Sequence, residues 1–140
     1  MINRISILST ERLILSEFAE SDAASFYELN KDDLVMKYTG DVAFETIESS
    51  KKFIQKYDAY AKSGFGRWTV ILKETNECLG WCGLKKHPDG MVDLGYRFHH
   101  RFWGKGYATE ASKACINYGF QELNIKEIIE RTAKNNLASV

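Results

Sequence analysis

Residues 11–18, ERLILSEF, alternate: Leu13 and Leu15 fall on one side, Arg12, Ile14 and Ser16 on the other, the period of two that predicts a half-buried strand. The period then changes. In SDAASFYELNKDD, Ala23, Phe26, Tyr27 and Leu29 or Asn30 recur at helical spacing behind Ser21, whose hydroxyl suits an N-cap. ETIESSKKFIQKYDAYAKSG predicts a second amphipathic helix, with Ile47, Phe53, Ile54, Tyr57, Tyr60 and Ala61 in one stripe that stops at Ser63-Gly64. RWTVILKETNECLGWCGLKKH reads as a hairpin: Trp68 to Lys73 rise, Glu74 to Glu77 turn, and Cys78 to Lys85 return. Pro88-Asp89-Gly90 is another turn and MVDLGYRFH the next strand. The helical period comes back in ATEASKACINYGFQEL, where Ala108, Ala111, Ala114, Cys115 and Tyr118 or Phe120 mark the buried face, and KEIIERTAK is a short strand.

The predicted order is strand, two helices, an antiparallel three-strand meander, a loop, a helix and a last strand. The closing strand, helix and strand form a βαβ crossover, so that pair is parallel and the loop sits at the carboxyl end of its first strand. This is an α+β chain built on a mixed sheet. Its 140 residues, with 44% apolar, 27% charged and zero formal net charge, suit one soluble domain over 1–140, a size that buries on the order of 68% of its unfolded surface. No apolar run reaches the roughly 18 residues that span a bilayer, and MINRISILSTERL lacks the apolar stretch of a signal peptide, which predicts a cytoplasmic protein without membrane attachment. Balanced charge gives no support to nucleic-acid binding. Cys78, Cys82 and Cys115 are an odd set without paired CxxC spacing; they are expected to be small buried hydrophobes, with no metal site.

Candidate chemistry concentrates in HHRFWGKGYATEA, residues 99–111. Gly104 and Gly106 let consecutive N–H groups converge on one point, the following helix adds its own unsatisfied N–H groups, and Arg101 and Lys105 add charge. A phosphate or pyrophosphate is the natural guest; a solvated turn that caps a helix is the plain alternative. A dinucleotide fingerprint fails because Thr109 stands where a third glycine is required, and a P-loop fails because Gly106 follows Lys105. RxxGxG, met by Arg101, Gly104 and Gly106, fits.

Through TERLILSEF, LGYRFHHRFWGKGYATEA and AKNNLAS the chain resembles the GNAT superfamily of N-acetyltransferases, and most closely its ribosomal-protein N-terminal acetyltransferase branch. The resemblance implies a GNAT-like acyl-CoA N-acyltransferase fold: an antiparallel meander plus a splayed parallel strand pair, with helices on both faces. It implies acetyl-CoA as cosubstrate, its arm lined by Tyr96, Arg97, Phe98 and His99 and its phosphates surrounded by Trp103, Gly104, Lys105, Gly106, Tyr107 and Ala108, with Arg101 at the rim. Asn136 matches a position that contacts the cofactor. Ser139 matches one whose hydroxyl can protonate the leaving thiolate, or it is a helix cap; Tyr107 is a further candidate acid, or a packing residue.

Direct acetyl transfer needs a neutral amine, a donor for the oxyanion and a proton for the thiolate, but no covalent enzyme intermediate. Asp93, just before Gly95, can draw the amine's proton away through water, or it is a salt-bridged strand residue. Of His99 and His100, alternation turns only one inward. Trp68, Trp81, Phe65, Tyr38 and Tyr96 can line an aromatic acceptor cleft or fill the core; Tyr38, Trp68 and Trp81 are the favoured cleft residues. The resemblance also implies a helix and two strands beyond the Asn-x-x-Ser segment, where this sequence ends at Val140. The expectation is a C-terminally incomplete domain with an open edge at EIIER, which either associates with a second copy of the chain or is kept soluble as a monomer by Glu127, Glu130 and Lys126. Two functions follow: N-acetylation of a protein N-terminal amine or a small amine, or a catalytically weak CoA-binding module.

Overall fold

A computed structural model describes residues 4–32, 34 and 44–130; Tyr38, Asn136 and Ser139 lie outside the described residues. Its six strands are β1 (Ser6–Ser9), β2 (Leu13–Ser16), β3 (Arg67–Leu72), β4 (Cys78–Lys86), β5 (Val92–Phe98) and β6 (Ile128–Glu130). They lie side by side in chain order. Every pairing is antiparallel except the last, in which Val92, Asp93 and Leu94 run parallel to Ile128, Ile129 and Glu130. The predicted meander, crossover and parallel pair are all present. β1 is an addition to the expected order: a four-residue edge strand with no buried residue, so its sequence shows no alternation to read.

Helices α1 (Ala23–Lys31), α2 (Ile47–Lys56), α3 (Ala59–Ser63) and α4 (Tyr107–Gln121) cover the sheet. Ser21 does not cap α1. Glu20–Asp22 form a 3-10 turn, and Asp22 takes the Ala19 N–H at 2.9 Å while holding Arg4 and, at 2.7 Å, the Thr69 hydroxyl. The second predicted helix is two. At Tyr57 the backbone turns extended, with ψ 108°; the Tyr57 hydroxyl accepts the Arg67 N–H at 2.8 Å, and the Tyr60 hydroxyl donates to the Arg67 carbonyl. Both polar backbone groups of Arg67 are thus tied to the α2–α3 corner.

The two faces of the sheet carry different chemistry. Leu13, Leu15, Trp68, Val70, Cys82, Leu84, Leu94 and Phe98 form the main core with Ala108, Ala111 and Cys115 of α4, whose small side chains let the helix lie close. Cys82 and Cys115 are buried free thiols, 3.8 Å apart, whereas Cys78 is only half-buried. The opposite face packs Trp81 under Ala23, Phe26 and Ile54, with Phe18 and Phe44 alongside.

Trp68 and Trp81, expected together, are on opposite faces. Trp68 is 1% exposed and packs edge-on to Tyr118 of α4, ring centroids 5.7 Å apart. Extending the Ile71–Cys78 pairing without interruption would set Trp68 opposite Trp81. A bulge between Val70 and Ile71 pairs Trp68 with Cys82 instead, and a one-residue slip exchanges the faces. Among the described residues no helix is long and apolar enough to cross a membrane.

Candidate functional site

β5 ends at Phe98 and runs through a 3-10 turn, His100–Phe102, into the glycine loop. Gly104 and Gly106 have φ of +79° and +82°, the left-handed region that other L-residues enter at a cost. A Cβ on Gly104 would meet nothing within 4 Å, so backbone conformation rather than space calls for glycine there. Glu110 N–H is the first of α4 to bond back, to the Gly106 carbonyl at 3.0 Å. Among the described residues, the N–H groups from Gly104 to Thr109 donate to no protein acceptor. Six consecutive backbone donors at a helix N-terminus, two of the six glycines, make an anion cradle.

The loop is braced from both sides. Trp103 donates its indole N–H to the Phe98 carbonyl at 2.9 Å, so this ring holds the strand end and is not free to swing outward. Phe102 is buried, and Tyr107 lies between it and Arg12, whose guanidinium is 4.5 Å from the Tyr107 centroid. Arg101 is two-thirds exposed, 3.6 Å from Glu77. Lys105 is exposed, and the Ala108 side chain is buried in the core, leaving its N–H as the part that faces the loop. Periodicity did not single out Arg12 and Glu110, which meet across 98 residues at 2.7 Å and close this end of the site.

Tyr96, Arg97, Phe98 and His99 are all buried, so only the backbone of this segment is available as an edge. Parallel pairing is described as far as Leu94 with Glu130. His99 is the inward-turned histidine: Nε2 and the Ser25 hydroxyl are 2.8 Å apart. Burial and the nearby Arg101 charge hold its imidazole below the usual histidine range. His100 is exposed and stands edge-on to Trp103.

Asp93 lies on the face of β5 turned away from α4, with Gly95 and Arg97, and is 3% exposed. Its Oδ1 accepts Arg67 Nη2 at 2.8 Å and its Oδ2 lies 2.6 Å from His87 Nε2. Burial disfavours its charge, but the His87 hydrogen bond and the Arg67 charge outweigh that and hold the carboxyl below the ordinary aspartate range. An ionised acceptor requires the proton on His87 Nε2. Arg67 lies flat on Gly95, where a Cβ would come within 2.9 Å of its Nη2. Arg67 and Arg97 flank Trp81, guanidinium carbons 5.4 and 5.3 Å from its ring. Over this pavement opens a cleft of about 580 Å³, walled by Phe18, Phe26, Phe44, Phe53, Tyr57 and Trp81, with Lys62, Lys85 and Lys86 at its sides. Trp81 is therefore a cleft residue; Trp68 and Phe65 are core, and Tyr96 faces α4 with the main core.

A mixed sheet whose single parallel pair leads into a glycine cradle, with an aromatic cleft on the opposite face, has the architecture of the acyl-CoA N-acyltransferases. The family model for the acetyltransferase (GNAT) domain matches residues 12–140, and the chain belongs to that family. It is 32% identical over 136 residues to the uncharacterized N-acetyltransferase p20 of Bacillus licheniformis, covering 95% of this chain and 76% of p20. The crystal structure of a GNAT-family acetyltransferase from Bacillus anthracis superposes with a TM-score of 0.80 at 30% identity, over 96% of this chain and 78% of that one. A putative ribosomal-protein-serine acetyltransferase from Vibrio cholerae shares the fold at 21% identity, TM-score 0.78, over 96% and 78% of the two chains. The chain is an acetyltransferase of a family that uses acetyl-CoA, and it spans about three quarters of the length of these relatives.

Proposed function

We propose that this enzyme transfers acetyl from acetyl-CoA directly to a primary amine, of a protein N-terminus or a small molecule, with no covalent enzyme intermediate. The observation that carries this reading is the run of N–H groups from Gly104 to Thr109 without protein acceptors, at the head of α4. Acetyl-CoA supplies the activated acyl thioester. The loop amides, with Arg101 and Lys105 at the rim, fit its pyrophosphate, and the backbone of Tyr96 to His99 fits its amide-bearing arm. Asn136 adds a cofactor contact, and Ser139 is first choice to protonate the thiolate, ahead of Tyr107.

The amine enters from the aromatic cleft. Asp93 stays ionised between Arg67 and His87, and His87, one-fifth exposed, is the member of the pair through which a proton can pass to water. Lys62, Lys85, Lys86, Arg67 and Arg97 outnumber the one carboxylate in the described lining, Asp58, which disfavours polycationic acceptors and favours an amine with an apolar or aromatic body.

Thermal unfolding with CoA, NAD or ATP, followed by thiol release from acetyl-CoA with peptide N-termini, aromatic amines and a polyamine, tests the reading. CoA should stabilise most, and an aromatic or peptide amine should turn over faster than the polyamine. Stabilisation by CoA without turnover on any amine would leave a binding module; absence of CoA stabilisation would overturn the cradle.

A further inference from the structure

The turn between β1 and β2 reaches the first turn of α4. There the Glu110 carboxylate accepts hydrogen bonds from the Thr10 hydroxyl, from Arg12 N–H at 3.0 Å and from Arg12 Nε at 2.7 Å. Beyond this clamp the guanidinium covers the Tyr107 ring, and Nη1 donates to the Lys105 carbonyl at 3.1 Å. In a planar trans peptide, the C=O of one residue and the N–H of the next point in opposite directions. With the Lys105 carbonyl held on Arg12, the Gly106 N–H is aimed away from Arg12.

Charge adds an independent reason for the arrangement. A carboxylate in the first turn favours a bare helix but repels a second anion bound at the same terminus. Glu110 is such a carboxylate, kept ionised against burial by its bonds from Thr10 and Arg12. The Arg12 guanidinium cancels its charge without occupying the N–H groups of the loop.

We propose that Arg12, clamped by Glu110, is a positioning residue for the acyl donor: it fixes the Lys105–Gly106 peptide and neutralises Glu110 so that the loop can take a pyrophosphate. This rests on reading Gly104–Thr109 as the pyrophosphate cradle. The side chain of Arg12 is 41% exposed, so its replacement leaves the core intact.

Calorimetric titration of the wild type, Arg12→Lys and Arg12→Met with CoA, and with pantetheine, which lacks the pyrophosphate, provides the test. Arg12→Met is expected to weaken CoA on the order of tenfold to a hundredfold, the scale of a lost hydrogen bond to a charged group, and to leave pantetheine unmoved. Arg12→Lys keeps the charge but not the fork and should recover only part of the loss. In turnover the KM for acetyl-CoA should rise by the same factor, with kcat kept within about twofold. A wild type that binds CoA no better than pantetheine overturns the cradle itself. A wild-type preference for CoA that both variants retain overturns the role of Arg12 alone. Equal weakening of both ligands, or variants that no longer unfold cooperatively, would make Arg12 a residue of the fold and overturn the proposal too.

Discussion

Replacing Gly104 with alanine separates what the loop's conformation does for the fold from what it does for the ligand. At φ +79° an added Cβ touches nothing within 4 Å, so the cost is backbone strain alone, about 1–2 kcal/mol for an L-residue held in the left-handed region. With an unfolding entropy of about 2.1 cal/mol/K per residue, a 140-residue chain loses roughly 1 °C of Tm per 0.3 kcal/mol, so a strained Gly104→Ala loop lowers Tm by about 3–7 °C. CoA at 100 times its Kd adds about 2.7 kcal/mol by mass action, which on that scale raises Tm by about 9 °C. The variant has two ways to respond. If the loop keeps its shape, Tm falls and the CoA shift survives in part; if residue 104 relaxes out of the left-handed region, Tm recovers and the N–H groups no longer converge, so the shift disappears. Differential scanning fluorimetry with and without CoA reads both. Gly106→Ala, at φ +82° and with its Cβ no closer than 3.4 Å to Arg12 Nη2, should bear a similar strain. Variants with wild-type Tm and a wild-type CoA shift would refute both the conformational requirement and the cradle.

Asp93→Asn removes the carboxylate of a buried ion pair with Arg67 and should cost about 3–5 kcal/mol in urea unfolding. Because the folded carboxyl is held below its unfolded value, that stabilisation is fully present above about pH 3.9 and is lost as pH falls through the lower folded value; Asp93→Asn should therefore flatten the acid limb of the stability profile. In turnover Asp93→Asn should lose more at acid than at alkaline pH, and a pH-independent loss would confine it to structure. The two tryptophans should part company: Trp68→Ala should destabilise by about 3–5 kcal/mol, whereas Trp81→Ala should raise the acceptor KM and leave CoA affinity unchanged in calorimetry.

What was legible in the sequence depended on whether a feature is local. The meander, the crossover and the two glycines could be read because alternation, helical spacing and turn residues are short-range signals. Edge strand β1 could not, since its two apolar residues, Ile7 and Leu8, are adjacent and both half-buried against the core, a pair with no alternation to show. Nor could the break at Tyr57, where the backbone of Arg67 ten residues on takes the hydroxyl that a continuous helix would have carried elsewhere. The same limit hid the clamp between Arg12 and Glu110, because a charged residue on the polar side of a strand looks alike whether water or a distant carboxylate meets it. Asp22 displaced Ser21 for a related reason: an N-cap hydroxyl satisfies one N–H, whereas the buried carboxylate also binds Arg4 and Thr69 and so ties the helix entry to the sheet.

The bulge in the β3–β4 hairpin decides which tryptophan faces the cleft. Which tryptophan reaches the cleft depends on the pairing between strands, which alternation along a single strand does not specify. Leu79 is the extra residue of β4, between Cys78 opposite Ile71 and Gly80 opposite Val70; Gly80 beside it has φ +147°, and a Cβ there would strike the Arg97 carbonyl, so a side chain cannot be accommodated without parting β4 from β5. With the bulge, Trp68 joins the apolar face under α4, and Trp81 joins Arg67, Gly95 and Arg97 on the face that opens to the cleft. Without it Trp68 and Trp81 would share a face, leaving either the main core short of its largest side chain or the cleft filled by two indoles. A one-residue choice in register thus divides the sheet into a face that holds α4 behind the glycine loop and a face that opens to the aromatic cleft.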